Sequence, residues 1–96
     1  MKITAEQSIY QIELTGSFAM KGLGFSCMQK AMEVGIKGQL KYISGEQIQI
    51  LIQGEENSID KIRAWFSKQP EIKSTTFRKI HSSDKQFNDF IIINSI

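Results

Sequence analysis

The segment QIQILIQG, residues 47–54, places an isoleucine at every second position. In an extended chain, alternate side chains point to opposite faces, so Ile48, Ile50 and Ile52 share one face. The opposite face carries Gln47, Gln49, Leu51 and Gln53. This is the clearest strand pattern in the chain, and it predicts a half-buried strand with one apolar face.

Two further segments alternate in the same way, IYQIELT (residues 9–15) and GQLKYI (residues 38–43). The residues expected on their apolar faces are Tyr10, Ile12, Leu14, Leu40 and Tyr42. A tight connection around Ser44-Gly45 joins GQLKYI to the isoleucine strand, which predicts a hairpin.

The C-terminal third contains two less regular strand candidates. In STTFRKIHS, residues 74–82, the apolar residues Phe77 and Ile80 are three positions apart, which predicts a strand with a bulge between them. The segment DFIIINSI, residues 89–96, is expected to close the chain as an additional strand.

Two segments show helical spacing. The apolar stripe of the first is Leu23, Cys27, Ala31 and Val34, and that of the second is Ile59, Ile62, Trp65 and Phe66. Gly35 predicts the end of the first helix. For the second helix, Asn57 with Asp60 three residues later predicts the N-cap, and Pro70 predicts the end.

The order of these segments is β-α-β-β-α-β with an additional terminal strand. It predicts an α+β fold, a ferredoxin-like split βαβ sandwich with an antiparallel sheet and two helices on one face. The length of 96 residues fits one domain, residues 1–96, without room for a second.

Composition excludes several classes of function. The formal net charge of +2 is too small to indicate binding to nucleic acid or to a membrane surface. The single cysteine, Cys27, excludes an internal disulfide, and neither it nor the lone His81 has the neighbours that a metal site requires. No cofactor is implied, and we expect a cytoplasmic protein because the N-terminus has no apolar run typical of a signal peptide.

The stretch GSFAMKGLGFS, residues 16–26, lies between the first strand and the first helix and contains three glycines. Backbone amides at a helix start attract anions, so this loop is a candidate site for phosphate or another small anion. The candidate residues are Ala19, Met20, Lys21, Gly22, Leu23 and Gly24. Lys21 is the only cation among them. The structural alternative is that Gly22 and Gly24 only permit a tight turn with positive φ.

This order of elements, with these glycines, resembles the acylphosphatase family. Its members carry a loop of the form G-R-V-Q-G-V-x-F-R after the first strand, a helix ending A-x-x-L-G-L-x-G, and a strand W-V-x-N. Without gaps, Gly16 takes the first loop glycine, AMEVGIKG at residues 31–38 takes the helix end, and Phe90 takes the phenylalanine of the terminal F-x-I. The resemblance spans residues 7–93 and implies the ferredoxin-like fold.

The resemblance also implies where catalysis would occur. Similar proteins hydrolyse acyl phosphates without a metal: loop amides and one arginine bind the phosphate, and an asparagine on the second strand positions the attacking water. In this sequence the arginine position falls on Gly24 and the asparagine position on Tyr42. In an alternative register, GLGF at residues 22–25 is displaced by two and the arginine position falls on Ser26. Neither register supplies an arginine.

Two functions therefore compete. The first is a domain without normal acyl phosphate hydrolase activity that acts as a binding or interaction module, with a small anion, a protein partner or a second copy of the chain as ligand. The alternative is a weak or atypical acylphosphatase that uses the loop amides and Lys21. RNA binding is disfavoured because the polar face of the isoleucine strand displays no aromatic residue.

Overall fold

The order of elements follows the predicted pattern, with five strands and two helices in a computed structural model that describes residues 7–19, 22–80 and 87–94. The elements are β1 (Ser8–Gly16), α1 (Gly22–Val34), β2 (Lys37–Ser44), β3 (Gln47–Gly54), α2 (Glu56–Phe66), β4 (Ile72–Ile80) and β5 (Phe90–Asn94). The strand order is β4-β1-β3-β2-β5. The expected fold class is confirmed, but the sheet is mixed, because β5 adds at the far edge and runs parallel to β2.

The core lies on the isoleucine face of β3. Ile48, Ile50 and Ile52 are all fully buried, as the alternation predicts. In the register of the central strands, Ile50 lies opposite Ile12 of β1 and Leu40 of β2, so one apolar row crosses three strands. Both helices cover this face of the sheet and also contact each other.

Helix α1 has the predicted stripe and the predicted end. Leu23, Cys27 and Ala31 are buried in the core. Gly35 follows the helix with a φ of +78°, and the amide of Ile36 donates to the carbonyl of Ala31 at 2.7 Å. This is the pairing of a Schellman motif, which requires a left-handed residue after the last turn and therefore favours glycine there.

Helix α2 buries Ile59, Ile62 and Phe66 as expected and leaves Trp65 partly buried against the core, but both of its predicted ends are wrong. It begins before Asn57, with Glu55 as N-cap residue and no side-chain capping hydrogen bond. It ends at Phe66, four residues before Pro70, and the amide of Ser67 at the C-cap donates to the carbonyl of Arg63. Tertiary contacts of the first turn, described below, determine the start instead of a local cap.

The predicted bulge in β4 is also wrong. Pairing with β1 is continuous from Ile80, opposite Ile9, to Ser74, opposite Thr15, and the irregularity falls between Thr15 and Gly16. The apolar spacing is irregular because β4 is an edge strand whose inner face α2 covers only in part, so few of its residues must be apolar. The prediction for residues 81–82 lies outside the described residues.

The first turn of α2 is tied to the sheet through Glu56. Its carboxylate accepts hydrogen bonds from the hydroxyl of Ser8 at 2.6 Å, from the hydroxyl of Tyr10 at 3.0 Å and from the ammonium of Lys79 at 3.0 Å. A carboxylate in the first turn also complements the helix dipole. One side chain thus connects α2 to β1 and β4.

Within the described ranges, neither helix is long and apolar enough to cross a bilayer.

We expect Glu56→Gln to reduce the loss of stability on acidification. Hydrogen bonds from Ser8, Lys79 and Tyr10 lower the pKa of Glu56 from 4.5 to about 2. The carboxylate therefore stabilises the fold above the unfolded pKa, and this contribution is lost as the pH falls through the folded one. Urea unfolding at a series of pH values should show a steeper loss for the wild type than for Glu56→Gln between about pH 5 and pH 2.

Glu55→Gln is the matched control, because the neighbouring Glu55 side chain makes no capping hydrogen bond. It should follow the wild-type pH dependence. Identical acid limbs for the two variants would contradict the assigned role of Glu56.

Candidate functional site

The first part of the glycine loop is held by backbone hydrogen bonds to the protein itself. The amides of Gly16, Ser17 and Phe18 donate to the carbonyls of Glu46, Glu71 and Gly45 at 3.0, 2.9 and 2.7 Å. Phe18 is buried in the core, a position that the sequence pattern above does not predict. Its neighbours at 17 and 19 are exposed, an alternation that continues from β1 and could have indicated it. These three amides are therefore engaged and do not face a ligand.

The structure places the anion-site candidates in two groups. Ala19 is exposed at the end of the described loop, and Gly22, Leu23 and Gly24 form the first turn of α1. The side chain of Leu23 belongs to the core, so only its backbone faces the loop side. Met20 and Lys21 lie outside the described residues, and their assignment to an anion site stays a prediction.

Tyr42 and Gly24, the residues to which the resemblance assigns the asparagine and arginine positions, are in direct contact. The amide of Gly24 donates a hydrogen bond of 3.0 Å to the hydroxyl of Tyr42. This amide is one of the first-turn donors that have no partner within the helix. Tyr42 therefore satisfies, from β2, a donor at the helix N-terminus that would otherwise be available to an anion.

The contact follows from the strand alternation. Tyr42 lies on the same face of β2 as Leu40, so its side chain enters the core beneath the start of α1, and only 2% of the residue is exposed. Burial raises the pKa of Tyr42 above its usual value, against the lowering effect of the Gly24 amide. The hydroxyl is therefore neutral at physiological pH.

Position 24 requires glycine because a larger side chain would not fit, and not because the backbone adopts a special conformation. A Cβ at this position would lie 2.5 Å from the hydroxyl oxygen of Tyr42 and 3.1 Å from two ring carbons. Positive φ occurs at Gly35 and Gly38 among the described glycines, so the interpretation of Gly22 and Gly24 as positive-φ turn residues is wrong. Both lie in the first turn of α1, and no atom of the described residues outside the neighbouring backbone lies within 4 Å of a Cβ placed at Gly22.

Cys27 packs in the core and is not part of the candidate site. Burial raises the pKa of the Cys27 thiol to about 12, so this thiol stays protonated and packs as a core residue. In residues 7–19, 22–80 and 87–94, no cluster of histidine, cysteine, aspartate or glutamate could hold a metal ion. His81 lies outside these ranges.

The five-stranded sheet, the two helices on one face and the loop at the start of α1 define a ferredoxin-like α+β sandwich with its candidate site at the first βα connection. The family model for acylphosphatase matches residues 10–92. The chain therefore belongs to the acylphosphatase family. No curated protein sequence matches the chain.

Solved structures with this fold include single-domain and multidomain proteins. An acylphosphatase from Coxiella burnetii has a TM-score of 0.78 at 20% identity, with 90% of this chain and 92% of that chain covered. An acylphosphatase from Bacillus subtilis has a TM-score of 0.78 at 19% identity, with 90% and 98% covered. Full-length HypF, in a phosphate- and nucleotide-bound form, has a TM-score of 0.83 at 19% identity, with 99% of this chain but 13% of that chain covered. At these identities the likeness shows the fold alone.

The contact between Gly24 and Tyr42 predicts a non-additive pair of substitutions. Gly24→Ala should destabilise the protein by about 2 kcal/mol, because its Cβ would overlap the Tyr42 hydroxyl. In a Tyr42→Phe background the nearest atom is absent, and the cost of Gly24→Ala should fall by about 1 kcal/mol. Urea denaturation of the four proteins of this cycle measures the coupling free energy.

Gly22→Ala is the matched control, since it introduces the same methyl group two residues earlier, where the described part of the chain leaves the space open. It should be neutral or slightly stabilising, because alanine has the higher helix propensity. Strict additivity of Gly24→Ala and Tyr42→Phe would show that the two residues are not in contact.

Proposed function

We propose that this chain is an acylphosphatase-family domain that does not hydrolyse acyl phosphates at the rate of family members with the catalytic pair, and that it acts as a binding or interaction module. The observation that carries the proposal is the hydrogen bond from the Gly24 amide to the Tyr42 hydroxyl. This contact engages the Gly24 amide at the start of α1, and the phenol ring of Tyr42 fills the space beside that amide.

The chemistry of acyl phosphate hydrolysis explains why these two positions matter. A guanidinium is a planar fork that binds two phosphate oxygens at once, whereas glycine offers only its amide. Removal of one preorganised donor from a developing anion costs about 3–4 kcal/mol, which is about two to three decades in rate. Replacement of the water-positioning amide by the buried ring of Tyr42 adds a further penalty that is not additive with the first.

The contact also supports the gapless register over the displaced one. The residue at the arginine position should lie close to the residue at the asparagine position, because both act on the same phosphate. Gly24 meets this condition through its contact with Tyr42. Ser26 is exposed, and two residues along a helix rotate a side chain by about 200°, away from Tyr42.

Neither Lys41 nor Lys21 is equivalent to the arginine of the family's loop. Lys41 precedes Tyr42 on the strand and therefore points to the opposite face of the sheet. Lys21 is the residue through which the alternative function, a weak or atypical acylphosphatase, would bind phosphate. Its ammonium is a flexible point charge without the fork geometry of arginine.

We expect the wild-type protein to hydrolyse a generic acyl phosphate at no more than about a thousandth of the rate of a family member that keeps the arginine and the asparagine. Phosphate release, measured on protein purified free of host phosphatase, tests this. A rate within about tenfold of such an enzyme would overturn the proposal and favour the alternative function. Loss of that rate in Lys21→Ala would then identify the group responsible.

We expect activity to be restored only when both positions change together. Gly24→Arg alone should destabilise the protein, because its Cβ would overlap the Tyr42 hydroxyl. Tyr42→Asn removes this obstacle and supplies the amide, so the double variant should exceed either single variant by about two decades in rate. Kinetics and thermal unfolding should be measured on the same preparations.

The matched control is Ser26→Arg with Tyr42→Asn, which carries the same charge and the same opened space but places the arginine according to the displaced register. It should stay at the level of Tyr42→Asn alone. A folded Gly24→Arg/Tyr42→Asn variant without phosphate release above the wild type would mean that the loop no longer follows the family's backbone path.

A further inference from the structure

Strand β4 ends the sheet on one side and has a free edge. It pairs with β1, and its other side has no strand partner among the residues that the structure describes. The whole strand, Ile72–Ile80, is described, and most of its residues are exposed. Such an edge presents unpaired backbone amides and carbonyls, to which another extended chain can add.

A groove lies beside this free edge on the helix face of the sheet. It separates α2 from β4, because α2 covers the inner face of β4 only in part, and it has a volume of about 290 Å³. Its lining residues are Arg63, Phe66, Ser67, Thr75 and Phe77. This volume is below the usual size of a small-molecule site. The groove therefore suits one or two side chains of a bound segment better than a cofactor.

Aromatic rings form the apolar part of the groove. Phe77 packs edge-to-face against Phe66, with 6.1 Å between ring centroids, and against Tyr10, with 6.0 Å. The Arg63 guanidinium lies 4.4 Å from the centroid of the Phe77 ring. Phe77 is only half-buried by these contacts. An apolar side chain in the groove would cover more of this ring, which is favourable in water.

The charge around the edge is positive. The strand carries Lys73, Arg78 and Lys79 and no carboxylate, and Arg63 lies across the groove on α2. Lys79 is paired with Glu56. The other three cations form no ion pair with a carboxylate of the described residues. The free edge is therefore flanked by three positive charges that a partner could neutralise.

These cations discourage one class of partner and favour another. Charged side chains on an edge strand disfavour pairing with a second copy of the same edge, because like charges would meet across the new strand pair. Opposite charges across a strand pair are stabilising, so the same residues admit an acidic strand. The edge of β4 thus selects a partner by its charge.

We propose that the free edge of β4 binds an extended acidic segment of another protein, which adds to the five-stranded sheet as a sixth strand. Backbone hydrogen bonds along β4 hold the segment. Phe77 faces the groove, so alternate side chains of the segment enter the groove when they are apolar. Arg78 faces the opposite side of the sheet, where it meets the intervening carboxylates. Arg63 and Lys73 add attraction at the groove and at the start of the strand.

This partner specifies the ligand of the interaction module and so rests on the proposed function. The edge lies on the far side of β1 and β3 from β2, which carries Tyr42, so peptide binding and phosphate release are measured independently. Peptide binding by a protein that also hydrolyses acyl phosphates would overturn only the loss of hydrolysis. An inactive protein that binds no peptide would overturn only the acidic partner.

The probe is a capped, fluorophore-labelled heptapeptide in which glutamate and valine alternate. Fluorescence anisotropy with the full chain at low ionic strength should give a dissociation constant between about 10 µM and 1 mM, because one added strand buries less than a standard interface. A lysine–valine peptide should bind at least about tenfold more weakly because its charge is reversed. A glutamate–proline peptide keeps the charge but lacks alternate amides, and it should also bind at least about tenfold more weakly.

Substitutions locate the site. Arg63→Gln and Arg78→Gln should each weaken binding of the glutamate–valine peptide by about two- to fivefold, and together by about tenfold, which is the range of exposed ion pairs. Lys37→Gln is the matched control, because it removes the same charge from an exposed position on β2, separated from β4 by two strands. It should bind the peptide as the wild type does.

Hydrogen exchange on the wild type gives a second readout that needs no substitution. With saturating glutamate–valine peptide, the amides of β4 should become more protected, whereas those of β2 and β5 should not. No binding at up to about 5 mM peptide would overturn the proposal. Equal binding of either control peptide would also overturn it, since charge or strand addition would then play no part. Protection at β5 instead of β4 would place the site at the wrong edge.

Discussion

The burial of the isoleucine face of β3 is the constraint on which the rest of the structure depends. Ile48, Ile50 and Ile52 lie on the central strand and are fully buried. Their burial requires that the helices pack on this face of the sheet. Full burial of one such side chain contributes about 1.5–3 kcal/mol relative to exposure. Because side chains alternate, a slip of one residue would place glutamines in the core, so this face also determines the register of β1 and β2.

The same register brings the candidate site together. Tyr42 reaches the start of α1 because it lies on the core face of β2, and Gly24 is small enough to accept it. The hydroxyl accepts a hydrogen bond from a helix-start amide, and the ring of Tyr42 fills the space beside it. Two positions 18 residues apart in sequence thus form one structural unit. A substitution at either position therefore affects the other.

Regular alternation and helical spacing predicted the strands β1–β3, the core residues of both helices and the end of α1 at Gly35. These signals are local and strong because each buried face admits only apolar side chains. The predictions of an N-cap at Asn57 and of a bulge in β4 were wrong because tertiary contacts decide there: Glu56 binds Ser8, Tyr10 and Lys79 across the sheet, and α2 covers β4 only in part. The helix ends before Pro70 for a local reason, since the amides of Lys68 and Gln69 donate to the carbonyls of Trp65 and Phe66 in a turn.

The sequence by itself determined the order of the elements and the apolar face of each, because these depend on residue types at fixed spacing. Only the tertiary structure decided that Gly24 and Tyr42 touch, that Phe18 anchors the loop, and that β5 runs parallel to β2 at one edge of the sheet. These features depend on distances between residues far apart in the chain. Such distances arise only when the sheet register and the helix packing are formed together, and no local pattern encodes them.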